Sequence, residues 1–174
     1  MIKKPNQSGS WKKINLEPEQ YRGFFINHLN RIYIAKEHLV VMLPKLVEKA
    51  QFIDLKNAII DTVEAVKRQI ARMEMIYALL DAEISHCSIN GIKGLVDDAF
   101  QAIQEQSEQT ELRDLSIIFY LQNIESVEMA SFQILQMAAV QLKNRQISQL
   151  LKENYQEAKA DRTLLLYISS KYVI

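Results

Sequence analysis

Apolar residues recur at steps of three and four along most of the chain, the spacing of one face of an α-helix. Four long windows carry such a stripe. In the first, about 19–50, it reads Phe25, Leu29, Ile32, Lys36, Leu39, Leu43, Leu46. In the second, about 55–83, it reads Ile59, Val63, Val66, Ile70, Met73, Tyr77, Leu80, with Thr62, Gln69 and Ile76 beside it. The third reads Ile117, Leu121, Ile124, Glu128, Ser131, Leu135, Ala138, Leu142, and Glu125 sits one turn before Glu128. The fourth reads Ile147, Leu151, Asn154, Ala158, Asp161, Leu165, Ile168, Tyr172. Each stripe is apolar at both ends and polar near its middle. A charge buried there is costly unless something pairs with it.

The joints between these windows set the topology. QFID, residues 51–54, is short, so the second helix returns antiparallel to the first, with Asp54 as its expected N-cap. Pro44 lies inside the first helix and is expected to bend it. Asn90-Gly91 signals a turn, and a short amphipathic helix follows over about 92–105 with Leu95, Val96, Ala99, Phe100 and Ile103 on one side. Thr110 is the expected cap of the third long helix, with Glu111 and Asp114 favouring its dipole in the first turn. The long connection allows the third helix to run parallel to the second. The short joint at about 143–146 turns the fourth back. The reading is an all-α protein: a four-helix bundle with a short crossover helix between helices 2 and 3. Side-by-side packing brings the midpoints to one depth, which predicts an internal polar layer of Lys36, Gln69, Glu125, Glu128, Asn154, Glu157 and Asp161.

Composition narrows the function. With 174 residues, 48% of them hydrophobic and only 4 Gly and 3 Pro, the chain has the mass for one helical core. Lys plus Arg number 21 and Asp plus Glu 21, so net charge gives no pull toward nucleic acid or anionic membrane. Residues 1–18 read as a flexible basic arm carrying Lys3, Lys4, Lys12, Lys13 and Trp11, and 19–174 as the bundle. The start lacks a signal-peptide core, no apolar run is long enough to span a membrane, and the single cysteine, Cys87, fits a reducing cytoplasm. His86 beside Cys87 is a chain neighbour, not a catalytic pair, and no Gly-rich phosphate loop occurs. Apolar residues beyond the stripes, such as Phe24, Ile26, Val41, Met129 and Met137, suggest a homodimer face.

Inward-facing carboxylates in helix bundles house paired iron or manganese ions, usually through one Glu on each of two helices and Glu-x-x-His on the other two. Here His28 and His38 do not follow a Glu by three, and the Glu83-His86 pair lies at the end of its helix. Glu125-x-x-Glu128 keeps the spacing without the histidine.

With these residues in view, the chain resembles the YciE/YciF-like ferritin-like family of small, stress-associated bacterial proteins over about 24–168. RIYIAKEHLVVMLPKL matches the helix 1 motif at Tyr33, Ala35, Leu39, Leu43, Pro44 and Lys45; IESVEMASF matches at Glu125, Glu128 and Ala130; QEAKAD matches at Glu157, Ala160 and Asp161; and TVEAVKRQIARME keeps Glu64, Gln69 and Arg72. The resemblance implies a ferritin-like bundle, with Glu125, Glu128, Glu157 and Glu64 as candidate remnants of a metal site. The departures are chemical. Arg31 stands for the motif's Asp, Lys36 for its Glu, Ser126 for its His and Gln156 for the first acid of its helix 4 pair, while Thr62 and Lys67 occupy helix 2 positions where the family tends to carry histidine. The expected function is a non-catalytic bundle with no cofactor, in which Lys36 forms an ion-pair and hydrogen-bond cluster with Glu125, Glu128 and Asp161. The alternative is an iron- or manganese-binding protein of the stress response.

Overall fold

A computed structural model describes residues 16–85 and 90–174, and these form five α-helices: α1 (Pro18–Lys49), α2 (Ile53–Leu80), α3 (Asn90–Glu105), α4 (Thr110–Gln141) and α5 (Arg145–Val173). The N-terminal arm up to residue 15, with Trp11, and the pair His86 and Cys87 lie outside the described residues. α1 packs against α2 and α4, and α5 packs against α2 and α4, so the four long helices close a ring. α3 lies across the seam of α1 and α4.

Local chemistry explains the helix ends. Pro18, read from sequence as part of the arm, instead opens α1 at its first turn, where a missing N–H costs nothing. Gln20 Oε1 accepts from the Glu17 N–H at 2.9 Å there. α1 continues as one helix through Pro44. Asp54 is not the cap of α2. Phe52 holds that position, and Asp54 sits inside the first turn, where Lys171 pairs with it at 2.8 Å. Thr110 is likewise not a cap: Gln109 precedes α4, and the Thr110 hydroxyl bonds Glu111 at 3.0 Å. α2 stops where Asp81 turns left-handed (φ 46°), three residues short of the expected end. Arg22 Nη2 donates to the Leu80 carbonyl at 2.8 Å, satisfying one of the acceptors left at that end. Asn144 caps α5, its side-chain oxygen accepting from Gln146 and Ile147.

The apolar side chains gather into two clusters at opposite ends of the bundle. One contains Leu39, Leu43 and Leu46 of α1, Ile59 and Val63 of α2, Ile117 and Leu121 of α4, and Leu165 and Ile168 of α5. The other contains Phe25 and Leu29, Met73 and Ile76, Phe132 and Leu135, and Ile147 and Leu151 from the same four helices. Early residues of α2 and α4 share one cluster with late residues of α1 and α5. Neighbouring helices in the ring are therefore antiparallel, and α2 and α4 run in the same direction. α3 adds Val96 and Ile103 to the first cluster only.

Candidate functional site

Between the two apolar ends the stripes become polar. Lys36, Gln69, Asn154, Glu125 and Glu128 are all buried, Lys36 and Asn154 completely so. Lys36 Nζ donates to Glu128 Oε2 at 2.6 Å and to Gln69 Oε1, and it lies 5.3 Å from the centroid of the Phe132 ring. Asn154 Nδ2 donates to the Gln69 carbonyl at 3.3 Å, so the four long helices meet through α1–α4, α1–α2 and α2–α5 bonds at one level. A fully buried amine fixed by a carboxylate and an amide oxygen has met its desolvation cost with charge-assisted bonds.

The surrounding acids are not all served by that amine. Glu128 Oε1, Glu125 Oε2 and Asp161 Oδ2 are buried without hydrogen-bond partners. The Glu125 carboxyl is pushed well above the usual range, first by burial and then by the charge of Glu128, against the pull of Lys36. Asp161 is pushed up to about 6, by burial first and then by Glu157 and Glu128, while Lys36 and Arg68 act the other way. Lys36 therefore does not outweigh burial and the neighbouring acids at these two carboxyls. One amine faces three acids, and burial decides where it is outnumbered. Lys36 bonds directly to Glu128 and Gln69, and neither Glu125 nor Asp161 hydrogen-bonds to it.

Two of the candidate metal residues are held elsewhere. Glu157 turns to the α2 side of α5, where Arg72 Nη1 pairs with it at 2.7 Å and Arg68 Nε at 3.0 Å. Burial works to raise its pKa, but the Arg72 and Arg68 bonds prevail and hold it below the usual range. Glu64 is exposed and pairs with Lys67, one turn along α2, at 2.7 Å. Ser126, at the position where the family motif has histidine, accepts from Arg162 Nε at 2.8 Å and so joins α4 to α5. Among the described residues no group of three or more His, Cys, Asp or Glu side chains is arranged to hold a metal ion. The Lys36 cation lies in the carboxylate layer, and two of the four candidate ligands, Glu64 and Glu157, are engaged outside it.

Sequence patterning missed a third buried acid. Asp114 of α4 is fully buried at the far end of the first apolar cluster. Its carboxylate accepts from the Gln51 N–H at 2.9 and 2.7 Å and from the Phe52 N–H at 2.6 Å. It caps α2 from across the bundle, where Phe52 itself supplies no capping side chain. Asn30 was missed as well. Its side-chain oxygen accepts from the Tyr77 hydroxyl at 2.6 Å and from the Ser85 N–H at 3.2 Å, which ties the chain leaving α2 back to α1. Nearby, Tyr33 donates to Glu74 at 3.0 Å, and its hydroxyl is pushed up to about 12 by burial and by that carboxylate.

An all-helical chain of two antiparallel pairs with a crossover helix and a polar waist defines a recognisable class of small bundle. The chain belongs to the family described as domain of unknown function DUF892, whose model matches residues 20–172. The kinship read from the motifs holds at the level of individual proteins. The chain is 31% identical over 137 residues to Protein YciF of Escherichia coli K12, covering 78% of this chain and 82% of that one. The crystal structure of the E. coli stress protein YciF superimposes with a TM-score of 0.83 at 28% identity, over 88% of this chain and 96% of that one. YcfI from Rhodopseudomonas palustris superimposes with a TM-score of 0.80 at 26% identity, over 90% and 96% of the two chains. No helix among the described residues is long and apolar enough to cross a membrane.

Proposed function

We propose that this chain is a ferritin-like bundle of the stress-associated YciF group in which Lys36 has taken the place of a metal ion, leaving a non-catalytic protein that acts through its surface in the cytoplasm. The observation that carries this reading is the fully buried Lys36 amine on Glu128 and Gln69. Charge balance supports it. Lys36 offsets one carboxylate, and burial raises the pKa of both Glu125 and Asp161, which lessens the negative charge left in the layer. The layer then holds less uncompensated charge for a divalent ion to offset.

The partner in this reading is a second copy. α4 carries apolar residues on its outward side as well as its inward one: Phe119 is 61% exposed, Met137 69% and Val140 66%. A helix apolar around its circumference is normally covered. Val41 of α1 is exposed too, whereas Phe24 is exposed at the α1–α4 seam away from this face, and Ile26 and Met129 are only half-exposed.

Two measurements test the proposal. Metal analysis of the purified chain should find no stoichiometric iron or manganese, and chelator should leave Tm unchanged. Tightly bound iron or manganese at one or two ions per chain would overturn it and restore the alternative, a metal-binding stress protein. In Lys36→Glu the amine gives way to a carboxylate; that variant should be severely destabilised alone and recover part of its Tm with added manganese.

A further inference from the structure

The seam between α1 and α4 is covered by α3 over one apolar end of the bundle, where Val96 and Ile103 are buried. Beyond the start of α3 none of the described residues covers the seam, and a cleft of about 490 Å³ lies there. Its walls are Phe24 and Ile32 from α1 and Val127, Ile134 and Leu135 from α4, with the small side chain of Ala130 leaving room between them. This is the size and apolar character of a small-molecule site. Its one permanent cation is Arg31, whose Nε donates to Asn27 Oδ1 at 3.1 Å. That bond anchors the guanidinium and leaves both terminal amino groups. Among the described residues no acid forms an ion pair with it.

We propose that this cleft binds a single-chain aliphatic carboxylate, with its alkyl tail against the α4 wall and its carboxylate in the Arg31 fork. A planar guanidinium with two free amino groups matches a carboxylate in a bidentate pair, which a neutral chain of equal length cannot form. The lining residues also argue against a second copy here. A two-fold contact sets a patch against itself, and this patch offers Arg31 and His28 but no acid. Such a contact would cover the cation without pairing it. The site is separate from the Lys36 layer and does not depend on how that layer is read.

The test is calorimetric titration of the full chain with decanoate below its micelle concentration, alongside decanol, Arg31→Met and Ala130→Phe. Arg31 and Ala130 are exposed, so both variants should keep the parent Tm. Decanoate should bind saturably at one per chain, about tenfold or more tighter than decanol. Arg31→Met should remove that advantage without changing decanol binding, and Ala130→Phe should abolish both. The proposal is overturned by the absence of saturable binding, or by equal decanoate affinity in Arg31→Met. It is also overturned if Ala130→Phe converts a dimer to a monomer in light scattering, which would assign the cleft to a second copy.

Discussion

Asp114 and Glu128 are both carboxylates of α4, three to four turns apart and both essentially removed from solvent. They solve the same problem in opposite ways. Asp114 accepts from two backbone N–H groups at the α1–α2 joint, Gln51 shared between both of its oxygens and Phe52 on one, donors that do not bond within α2. Each partner satisfies the other, and neither oxygen is left over. Glu128 meets a lysine instead, in a layer that contains more acid than base, and one of its oxygens has no hydrogen-bond partner. The first arrangement closes a joint. The second spaces four helices around a charge that an apolar core would not need. Burial alone therefore says little about what an acid does. The supply of donors around it decides.

The sharpest way to break the comparison is to remove the amine. Lys36→Ala leaves Glu128 and Gln69 buried without their donor, and the loss should be about 3–5 kcal/mol in urea unfolding. The double variant Lys36→Met with Glu128→Leu removes the charge from both sides and should recover most of that loss, because an apolar pair of similar volume can replace a buried ion pair. If the double variant is as unstable as the single one, the layer is contributing more than a compensated charge.

Asp114→Ala comes next. It strands the Gln51 and Phe52 N–H groups at a partly buried joint, for an expected loss of roughly 1–3 kcal/mol. Here no apolar partner can rescue the variant, since the donors belong to the backbone and cannot be mutated away. Hydrogen exchange should locate the damage at the first turn of α2 and leave the middle of the bundle protected.

These two sites differed in how far the sequence disclosed them. Lys36, Gln69, Glu125, Glu128 and Asn154 interrupt apolar stripes, and helical periodicity alone places them inside. The helix number and the parallel course of α2 and α4 followed from the same stripes and from joint lengths. Asp114 interrupts nothing. Read from sequence it falls in the first turn of its helix, where an acid has an ordinary local reason to be, but only Glu111 lies there; Asp114 is one turn further in, and its partners are backbone groups more than sixty residues away. Asp54 and Thr110 failed as caps for a related reason: each had the right residue type, but the helix began one or two positions from where a local rule would start it. Glu157 was misassigned to the layer because periodicity fixes where a side chain leaves the helix and not where a long one ends. Arg68 and Arg72 on the neighbouring helix determine that.

A pH series sharpens the contrast further. The Asp161 pKa rises from 3.8 to about 6 on folding, so the folded state holds this proton more tightly than the unfolded chain. By linkage, the stabilisation is fully present below about pH 4 and is lost as pH rises through about 6. Relative to Asp161→Asn, the native chain should gain on going from pH 7 to pH 4. Solvent screening of a partly exposed group limits the gain to about 1 kcal/mol. Glu125, also raised, acts in the same direction. A difference between the two proteins that is flat with pH would remove the proton from the charge balance proposed for the layer.

The smallest effect is predicted one turn away on the same helix, and its sign is reversed. Glu157 is held below its ordinary pKa by Arg72 and Arg68, so its contribution is present above the unfolded carboxylate range and lost as pH falls through the lower folded value. Glu157→Gln should cost about 0.5–1 kcal/mol at pH 7, less at high salt, and nothing at low pH, because the pair is partly exposed and screened. These two acids of α5 therefore make a matched experiment. Relative to its own amide variant, the native chain should be favoured by acid at Asp161 and by neutral pH at Glu157. If Glu157→Gln instead costs several kcal/mol and the loss is sensitive to chelator, the side chain is serving a metal and the arginine pairing is not what it is for.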